Sequence, residues 1–432
     1  MIFYDLPRFF VLPCLFIIGC CIGSFLNVCI HRFPSKQRLW DQLKALNSHG
    51  SGCPRCAAAI LWRDNIPLIG WLLLRGKCRN CRRPISIRYP LVELLTGVLF
   101  VVVYIAEIPV DLRGNLAGFG LYSSDGPQAI RGPLDLATWL HVRYALHIAM
   151  FCCLIVATFI DFELRIIPDG STVPMMLLAI MTSTAFGQTF IVPLWFQDDS
   201  VANTLRQISP DWLKPLLFTW DCIPFASRHP HGHGLLFSLA GLIVGGGVVW
   251  LVRLAGFWIL RQEAMGFGDV ILMAMVGSVI GWQAAVVVFF IAPILAIFAA
   301  IVAWVTQRDR EIPYGPWLSA ATLALILGWQ SIWPLAERVY DMGIFVPLIA
   351  MGMFVSLIAC LQGIQIIKKL LGFSTAGPVL EEAGWSSADH LTFYNSERPD
   401  LQTNQWPGEL WPGIRSGQGL NHYQQWRFGD RK

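Results

Sequence analysis

The feature that most constrains this chain is a series of apolar runs long enough to cross a lipid bilayer. The first run extends from Val11 to Ile30, and comparable runs recur along most of the 432 residues. About 20 apolar residues in a helix cross the bilayer core. Charged residues make up only 14% of the sequence, which is too few for the surface of a soluble domain of this length. We therefore predict an all-α polytopic membrane protein with about eight to nine transmembrane helices.

Two of the expected spans need comment. The first lacks a small-residue cleavage site, so we predict that it is retained rather than removed as a signal peptide. The run at 270–282 is short, and it is either tilted or joined to its neighbour as a helical hairpin around Gly281-Trp282. The expected spans lie at 9–30, 89–106, 142–160, 170–188, 235–259, 270–282, 284–305, 317–333 and 344–367.

Positive charge is concentrated between the first two spans. Residues 31–88 carry about a dozen Lys and Arg against Asp41 and Asp64, whereas 107–141 and 187–234 carry only a few each. Such an excess is typical of cytoplasmic loops, so we place 31–88 in the cytoplasm and the other two segments outside. Because membrane topology alone accounts for the positive charge of this loop, we expect the lipid bilayer as a partner and no nucleic acid.

The loop at 31–88 contains two pairs of cysteines with the spacing of metal ligands. Cys53 and Cys56 form one C-x2-C knuckle, and Cys78 and Cys81 form a second about 21 residues later. Two such knuckles are typical of a structural zinc site, in which four thiolates leave no open position for catalysis. We predict that zinc binds these four cysteines and folds the loop.

Two aspartates lie at predicted membrane edges on the cytoplasmic side. Asp161 ends the third span, and Asp269 ends a Gly-x-Gly-Asp sequence that opens the short sixth span. Ionisable residues at such positions are costly and by default indicate function. Two carboxylates brought close together share a proton, which is the requirement of aspartyl proteolysis. We predict Asp161 and Asp269 as catalytic residues, with Gly266 and Gly268 permitting close backbone approach and unusual dihedral angles beside Asp269.

Several short sequence blocks in a fixed order cover most of residues 20–320. In that order they resemble the prepilin peptidases of type IV pilus and type II secretion systems. The blocks are Gly23-Ser24-Phe25-Leu26-Asn27-Val28, Arg32-Phe33-Pro34, both cysteine knuckles, Asp64-Asn65-Ile66-Pro67, Arg75-Gly76-Lys77-Cys78, the segment 85–93, Asp161 with Pro168-Asp169, the segment 265–269 and the segment 312–318.

The resemblance implies a chemistry and a location. It assigns catalysis to Asp161 and Asp269, and it implies an inner-membrane enzyme that cuts prepilins or pseudopilins on the cytoplasmic side after a glycine. Many members also methylate the new N-terminus with S-adenosylmethionine, an activity associated with the cysteine-containing loop. This chain retains that loop, so the resemblance implies a bifunctional enzyme, although the loop shows no nucleotide-binding fingerprint.

The hydropathy pattern and the resemblance together divide the chain, and the last helix and the tail fall outside the resemblance. We expect a first helix at 1–30, the four-cysteine loop at 31–88, a peptidase core at 89–333 with outer insertions at 107–141 and 187–234, an extra helix at 334–371 and a polar tail at 372–432. The second insertion ends in His229, His231 and His233. Since no carboxylate or Cys partner accompanies these histidines, we expect them to lie in a loop without a metal-binding role.

Two other functions remain open at this point. A cation transporter or channel would use carboxylates deep within its spans, whereas Asp161 and Asp269 lie at span ends and the cysteine loop would stay unexplained. A presenilin-type intramembrane protease shares the Gly-x-Gly-Asp sequence, but it accounts for neither the N-terminal blocks nor the knuckles.

Overall fold

The computed structural model describes residues 7–36, 38–47, 52–53, 56, 58–108, 136–187, 189–211, 214, 222–260, 265–305, 313–343 and 345–370. The expectations for the tail at 372–432 and for most of the insertion at 107–141 lie outside these residues. The described part is helical, with two isolated antiparallel bridges, Gly52 with Ala59 and Lys77 with Pro84.

Fourteen α-helices follow one another along the described residues. They are α1 (Arg8–Arg32), α2 (Leu39–Leu46), α3 (Ile69–Leu73), α4 (Arg88–Glu107), α5 (Leu136–Leu164), α6 (Asp169–Phe186), α7 (Asp199–Ile208), α8 (Ile223–Arg228), α9 (Pro230–Leu260), α10 (Phe267–Ile280), α11 (Trp282–Val305), α12 (Gly315–Leu327), α13 (Trp329–Tyr340) and α14 (Phe345–Leu370).

Six of these helices are long and apolar enough to cross a membrane, namely α1, α4, α5, α9, α11 and α14. A seventh candidate is the pair α12 and α13, which bends by 96° at Gly328. All-helical, multi-span architecture is thus confirmed, but the described residues contain six to seven candidate spans rather than eight to nine. The two expected spans at 170–188 and 270–282 correspond to α6 and α10, which are not among these candidates. α10 is short, with only 14 residues, and α6 begins with the polar residue Asp169.

The bend after α12 has a local cause. Gly328 separates two apolar and aromatic stretches, and it has φ −93° and ψ 16°, outside the helical range of its neighbours. α13 then carries Gln330, Glu337 and Arg338 among its aromatic residues, an amphipathic pattern that favours the membrane interface over the interior. The expected straight span at 317–333 is therefore broken.

The described residues fall into two compact units. One contains those up to 106 together with 151–174, and the other contains 107–150 and 175–370. In the first, α1 packs closely on α4, because a Cβ added to Gly19 would lie 2.8 Å from the Cα of Gly97 and one added to Gly23 would lie 2.7 Å from that of Glu93. Small residues at such crossings let membrane helices approach closely.

In the second unit, α9 and α10 are held together by a similar contact. A Cβ added to Gly241 would lie 1.9 Å from the carbonyl oxygen of Gly277. The hydroxyl of Ser238 donates a hydrogen bond to the carbonyl of Ser278 at 2.8 Å. The two backbones are therefore in direct contact, which fixes α10 and the aspartate in its first turn on the long helix α9.

Candidate functional site

The four predicted zinc ligands come together in the structure. The Sγ atoms of Cys53, Cys56, Cys78 and Cys81 all lie within 4.8 Å of one another, and those of Cys53 and Cys81 are 3.9 Å apart. With Zn–S bonds of about 2.3 Å, the sulfurs of a tetrahedral site lie about 3.8 Å apart. The donor set and its spacing therefore fit a structural zinc ion.

Each knuckle is shaped by its own backbone. The N–H of Cys53 donates to the carbonyl of Ala58, and the N–H of Cys78 donates to that of Arg83, both at 2.9 Å. These bonds close a turn around each pair of thiols. A hydrogen bond from the backbone of Ala58 is the largest cause that lowers the pKa of the Cys56 thiol to about 6. Thiolates are the form that binds metals, so the backbone around Cys56 favours the metal-binding form of this residue at neutral pH.

An ion pair braces the second knuckle. Arg79 donates from Nε and Nη2 to the two carboxylate oxygens of Asp64, at 2.7 and 2.6 Å. This two-point pairing lowers the pKa of Asp64. Trp71 adds a hydrogen bond from its indole to the carbonyl of Ile85 at 3.2 Å. The polypeptide between the knuckles is thus tied to the second knuckle by Asp64 and to the residues that follow this knuckle by Trp71.

The loop is also tied to the membrane helices. The carboxylate of Glu93, in α4, accepts a hydrogen bond from the backbone N–H of Leu68 at 2.7 Å. The side chain of Gln42, in α2, accepts one from the N–H of Gly170 at 2.6 Å and is almost fully buried. Residues on both sides of the first knuckle are therefore anchored, one side to α4 and the other to the start of α6.

Asp161 lies near the end of α5 and is only 6% exposed. Two residues later, Glu163 forms a buried ion pair with Arg88, the first residue of α4. The guanidinium of Arg88 also lies over the ring of Phe159, 5.7 Å from its centroid. Arg88 thus contacts the chain on both sides of Asp161 and fixes this end of α5 against α4.

Asp269 lies in the first turn of α10 and is 8% exposed. Its N–H donates to the carbonyl of Gly266 at 3.3 Å. Gly266 has φ −68° and ψ 149°, an extended conformation open to any residue, and Gly268 lies within the helix. The prediction of unusual dihedral angles beside Asp269 is therefore wrong. What remains of the expected role of these two glycines is that they have no side chain, which permits close backbone approach.

Asp161 and Asp269 belong to different units, Asp161 to that with 151–174 and Asp269 to that with 175–370. Each is a buried carboxylate beside the end of an apolar helix. Their roles as catalytic residues stay predictions.

The three histidines at 229–233 contact separate partners. His233 accepts a hydrogen bond at Nε2 from the N–H of Leu194 at 3.1 Å, and Nδ1 of His231 lies 2.8 Å from the carbonyl oxygen of Thr184. His229 packs against the ring of Phe225. Among the described residues, the group of side chains that could hold a metal ion is the four-cysteine cluster.

Several polar contacts were not predicted from the sequence. They include the Arg88–Glu163 pair and a buried group in which Nδ1 of His147 lies 2.6 Å from Oε1 of Glu107. Arg143 approaches the same carboxylate at 3.6 Å. The signal that could have found them is an ionisable residue within an apolar helix, although that signal does not identify the partner.

Two family models match the chain. "Bacterial Peptidase A24 N-terminal domain" matches residues 17–106, and "Type IV leader peptidase family" matches residues 206–301. The first covers the four cysteines, and the second covers Asp269. No solved structure matches the chain.

Curated relatives match over a longer stretch. A prepilin leader peptidase/N-methyltransferase of Aeromonas salmonicida (strain A449) is 30% identical over 338 residues, which cover 73% of this chain and 90% of the relative. Proteins with the same name from Klebsiella pneumoniae and Neisseria gonorrhoeae are 31% and 27% identical, and the matches cover 62% and 75% of this chain and 85% and 93% of those relatives. The chain therefore belongs to the type IV prepilin leader peptidase/N-methyltransferase family, peptidase family A24.

Proposed function

We propose that this chain is an inner-membrane aspartic endopeptidase that removes the leader of type IV prepilins or pseudopilins and methylates the new N-terminus. Family membership supports the reaction class. The observation that carries the peptidase assignment is the pair of buried carboxylates, Asp161 and Asp269, each at the end of an apolar helix. A charge in such a place is costly without a function.

We assign the two aspartates to one scissile peptide bond. In the resting enzyme they share one proton, because two neighbouring carboxylates cannot both ionise readily. The ionised member removes a proton from a water molecule, whose oxygen attacks the scissile carbonyl carbon while the protonated member donates to the carbonyl oxygen. Collapse of the tetrahedral intermediate breaks the C–N bond, and the amine leaves with a proton from the dyad.

The substrate is assigned by the family and by the charge pattern. The basic loop at 31–88 supports a cytoplasmic position for the ends of α1 and α5 under the positive-inside rule. The proposal requires α6 to cross the membrane as well, which brings the start of α10 to the same side. Cleavage on that side, after the glycine that precedes the hydrophobic helix of a prepilin, would occur where both aspartates lie. The lipid bilayer thus orients the apolar helix of the substrate as well as the enzyme.

Zinc in the four-cysteine cluster has a structural role in this proposal. Cys53, Cys56, Cys78 and Cys81 would hold it, and the bound ion would fold the loop by cross-linking its two knuckles. The methyl donor is S-adenosylmethionine by family membership. We assign none of the described residues to it and derive no step of the methyl transfer.

The test is leader cleavage in reconstituted membranes. A prepilin with a short basic leader that ends in Gly is incubated with wild type, Asp161→Asn and Asp269→Asn in the presence of S-adenosylmethionine, and the product is weighed by mass spectrometry. Wild type should release the leader and add one methyl mass, and both variants should lose cleavage while remaining inserted and folded. Asp169→Asn, at the start of α6, is the matched control and should keep cleaving. Cleavage by either of the first two variants would sink the assignment.

A further inference from the structure

α3 and the turn before it expose a patch of large apolar side chains. Trp62 is 82% exposed, Leu72 64% and Leu73 73%, and Ile69 is more than half exposed. The turn packs directly on the start of the helix, since a Cβ added to Gly70 would lie 2.2 Å from the carbonyl oxygen of Asp64. Large exposed apolar side chains grouped on one short segment are typical of an interaction site.

The hydrogen bond from Leu68 to Glu93 fixes the position of this patch along α4. Leu68 directly precedes α3, and Glu93 lies five residues into α4, which is one of the candidate membrane spans. At 1.5 Å per residue, Glu93 lies about 8 Å along the helix from Arg88. α3 is therefore held beside the first turns of a membrane helix. The residues of α4 next to Glu93 in the sequence include three exposed apolar side chains, as expected for a lipid-facing surface. They are Leu91, Leu94 and Leu95.

The surroundings of the patch are positively charged. Within 58–86, which the structure describes throughout, the single carboxylate is Asp64, and it is paired with Arg79. The cations of this segment are Arg63, Arg75, Lys77, Arg79, Arg82 and Arg83. Exposed apolar groups bordered by Lys and Arg are typical of surfaces that bind anionic lipid headgroups while inserting shallowly.

We propose that Trp62 and α3 form an interfacial anchor, which inserts into the leaflet where α4 enters the membrane and binds its anionic phospholipids through Arg75 and Lys77. This anchor adds a lipid-binding surface to the enzyme. It also keeps the four-cysteine cluster near that leaflet, because hydrogen bonds of Trp71 and Gly76 join α3 to Ile85, four residues after the second knuckle. The proposal does not depend on the catalytic roles of Asp161 and Asp269.

The experiment uses the full chain in nanodiscs of phosphatidylcholine, alone or mixed with phosphatidylglycerol. A photo-crosslinking amino acid replaces Leu72, and in a second protein it replaces Leu95 of α4 as the lipid-facing reference. Position 72 should cross-link to lipid with a yield close to that of position 95, and phosphatidylglycerol should raise that yield several-fold. Arg75→Gln with Lys77→Gln should remove the rise and leave the basal yield. Absence of lipid adducts at 72, or adducts to a second protein copy in their place, would overturn the anchor.

A second measurement distinguishes loss of membrane insertion from misfolding of the variant. Leu72→Glu should increase amide hydrogen exchange in 66–76 in nanodiscs, whereas Ile208→Glu, at an exposed apolar residue in α7, should not change it. Bound zinc is measured in both variants. Unchanged exchange in Leu72→Glu with zinc retained would contradict the insertion of α3.

Discussion

The Nε atom of Arg253 donates a hydrogen bond to the backbone carbonyl of Met265 at 3.1 Å. The same guanidinium lies 5.8 Å from the centroid of the Phe267 ring. Arg253, in α9, therefore holds the segment that directly precedes Asp269. We infer that it is a positioning residue for this aspartate.

Replacing Arg253 should reduce turnover more than substrate binding. Arg253→Met removes both contacts, and a displacement of a reacting group by about 1 Å can lower the rate by about 10²-fold. We expect kcat for leader cleavage to fall by roughly this factor with little change in KM, and Arg253→Lys to recover only part of it because a lysine cannot reproduce the planar contacts. Arg338→Met in α13 is the control. An Arg253→Met enzyme with wild-type kcat would show that the contact is only structural.

The buried ion pair between Arg88 and Glu163 should make the folded protein sensitive to the loss of either side chain. The two side chains are 7% and 1% exposed, and removing one member of a buried pair leaves an uncompensated charge that costs about 3–5 kcal/mol. Arg88→Met and Glu163→Gln should each lower the free energy of unfolding by about this amount, while the double variant should lose less than the sum. Denaturant unfolding in detergent micelles measures all three. Additive losses would show that the two residues act independently.

The contact between α9 and α10 supports a comparison of two glycines on one helix. Gly241→Ala places a methyl group 1.9 Å from the carbonyl oxygen of Gly277, whereas a Cβ at Gly247 meets nothing within 4 Å. Overpacking should cost Gly241→Ala about 1–3 kcal/mol. Gly247→Ala should be neutral or stabilising by up to about 1 kcal/mol, since Ala has the higher helix propensity. Thermal unfolding and leader cleavage should both separate the two variants, and equal behaviour would contradict the close packing.

The cysteine cluster should release its metal as the pH falls. Because the pKa of Cys56 is lowered to about 6, its thiolate dominates at pH 7 and the thiol dominates below pH 6. Protons compete with zinc for thiolates, so the affinity of the cluster for zinc should be highest at neutral pH and should fall as the pH is lowered through about 6. Metal analysis after dialysis at a series of pH values measures this.

Cys56→Ser and Cys78→Ser should lack stoichiometric zinc, and Cys360→Ser, in the exposed helix α14, should keep it. Zinc retained in Cys56→Ser would contradict the four-ligand site.

The sequence predicted the parts of this protein that depend on local spacing. The two knuckles are recognisable because each ligand pair lies within one turn, and apolar runs locate helices because the bilayer sets their length. The contacts of Gln42 with Gly170 and of Arg88 with Glu163 join residues 128 and 75 positions apart. No local pattern specifies which distant partner a buried polar group will meet. The bend at Gly328 was missed for a related reason, since hydropathy reports whether a stretch is apolar but not whether it is straight.

The shortness of α10 and α12 affects the bilayer around them. The two helices have 14 and 13 residues, which at 1.5 Å per residue extend about 20 Å, whereas the hydrocarbon core is about 30 Å thick. Such hydrophobic mismatch is relieved when lipids thin locally or when water and headgroups follow the helix ends inward. Asp269 opens α10, so the same deformation would bring solvent to its carboxylate. The length of this helix thus provides a route by which a hydrolase within a membrane obtains the water that its reaction consumes.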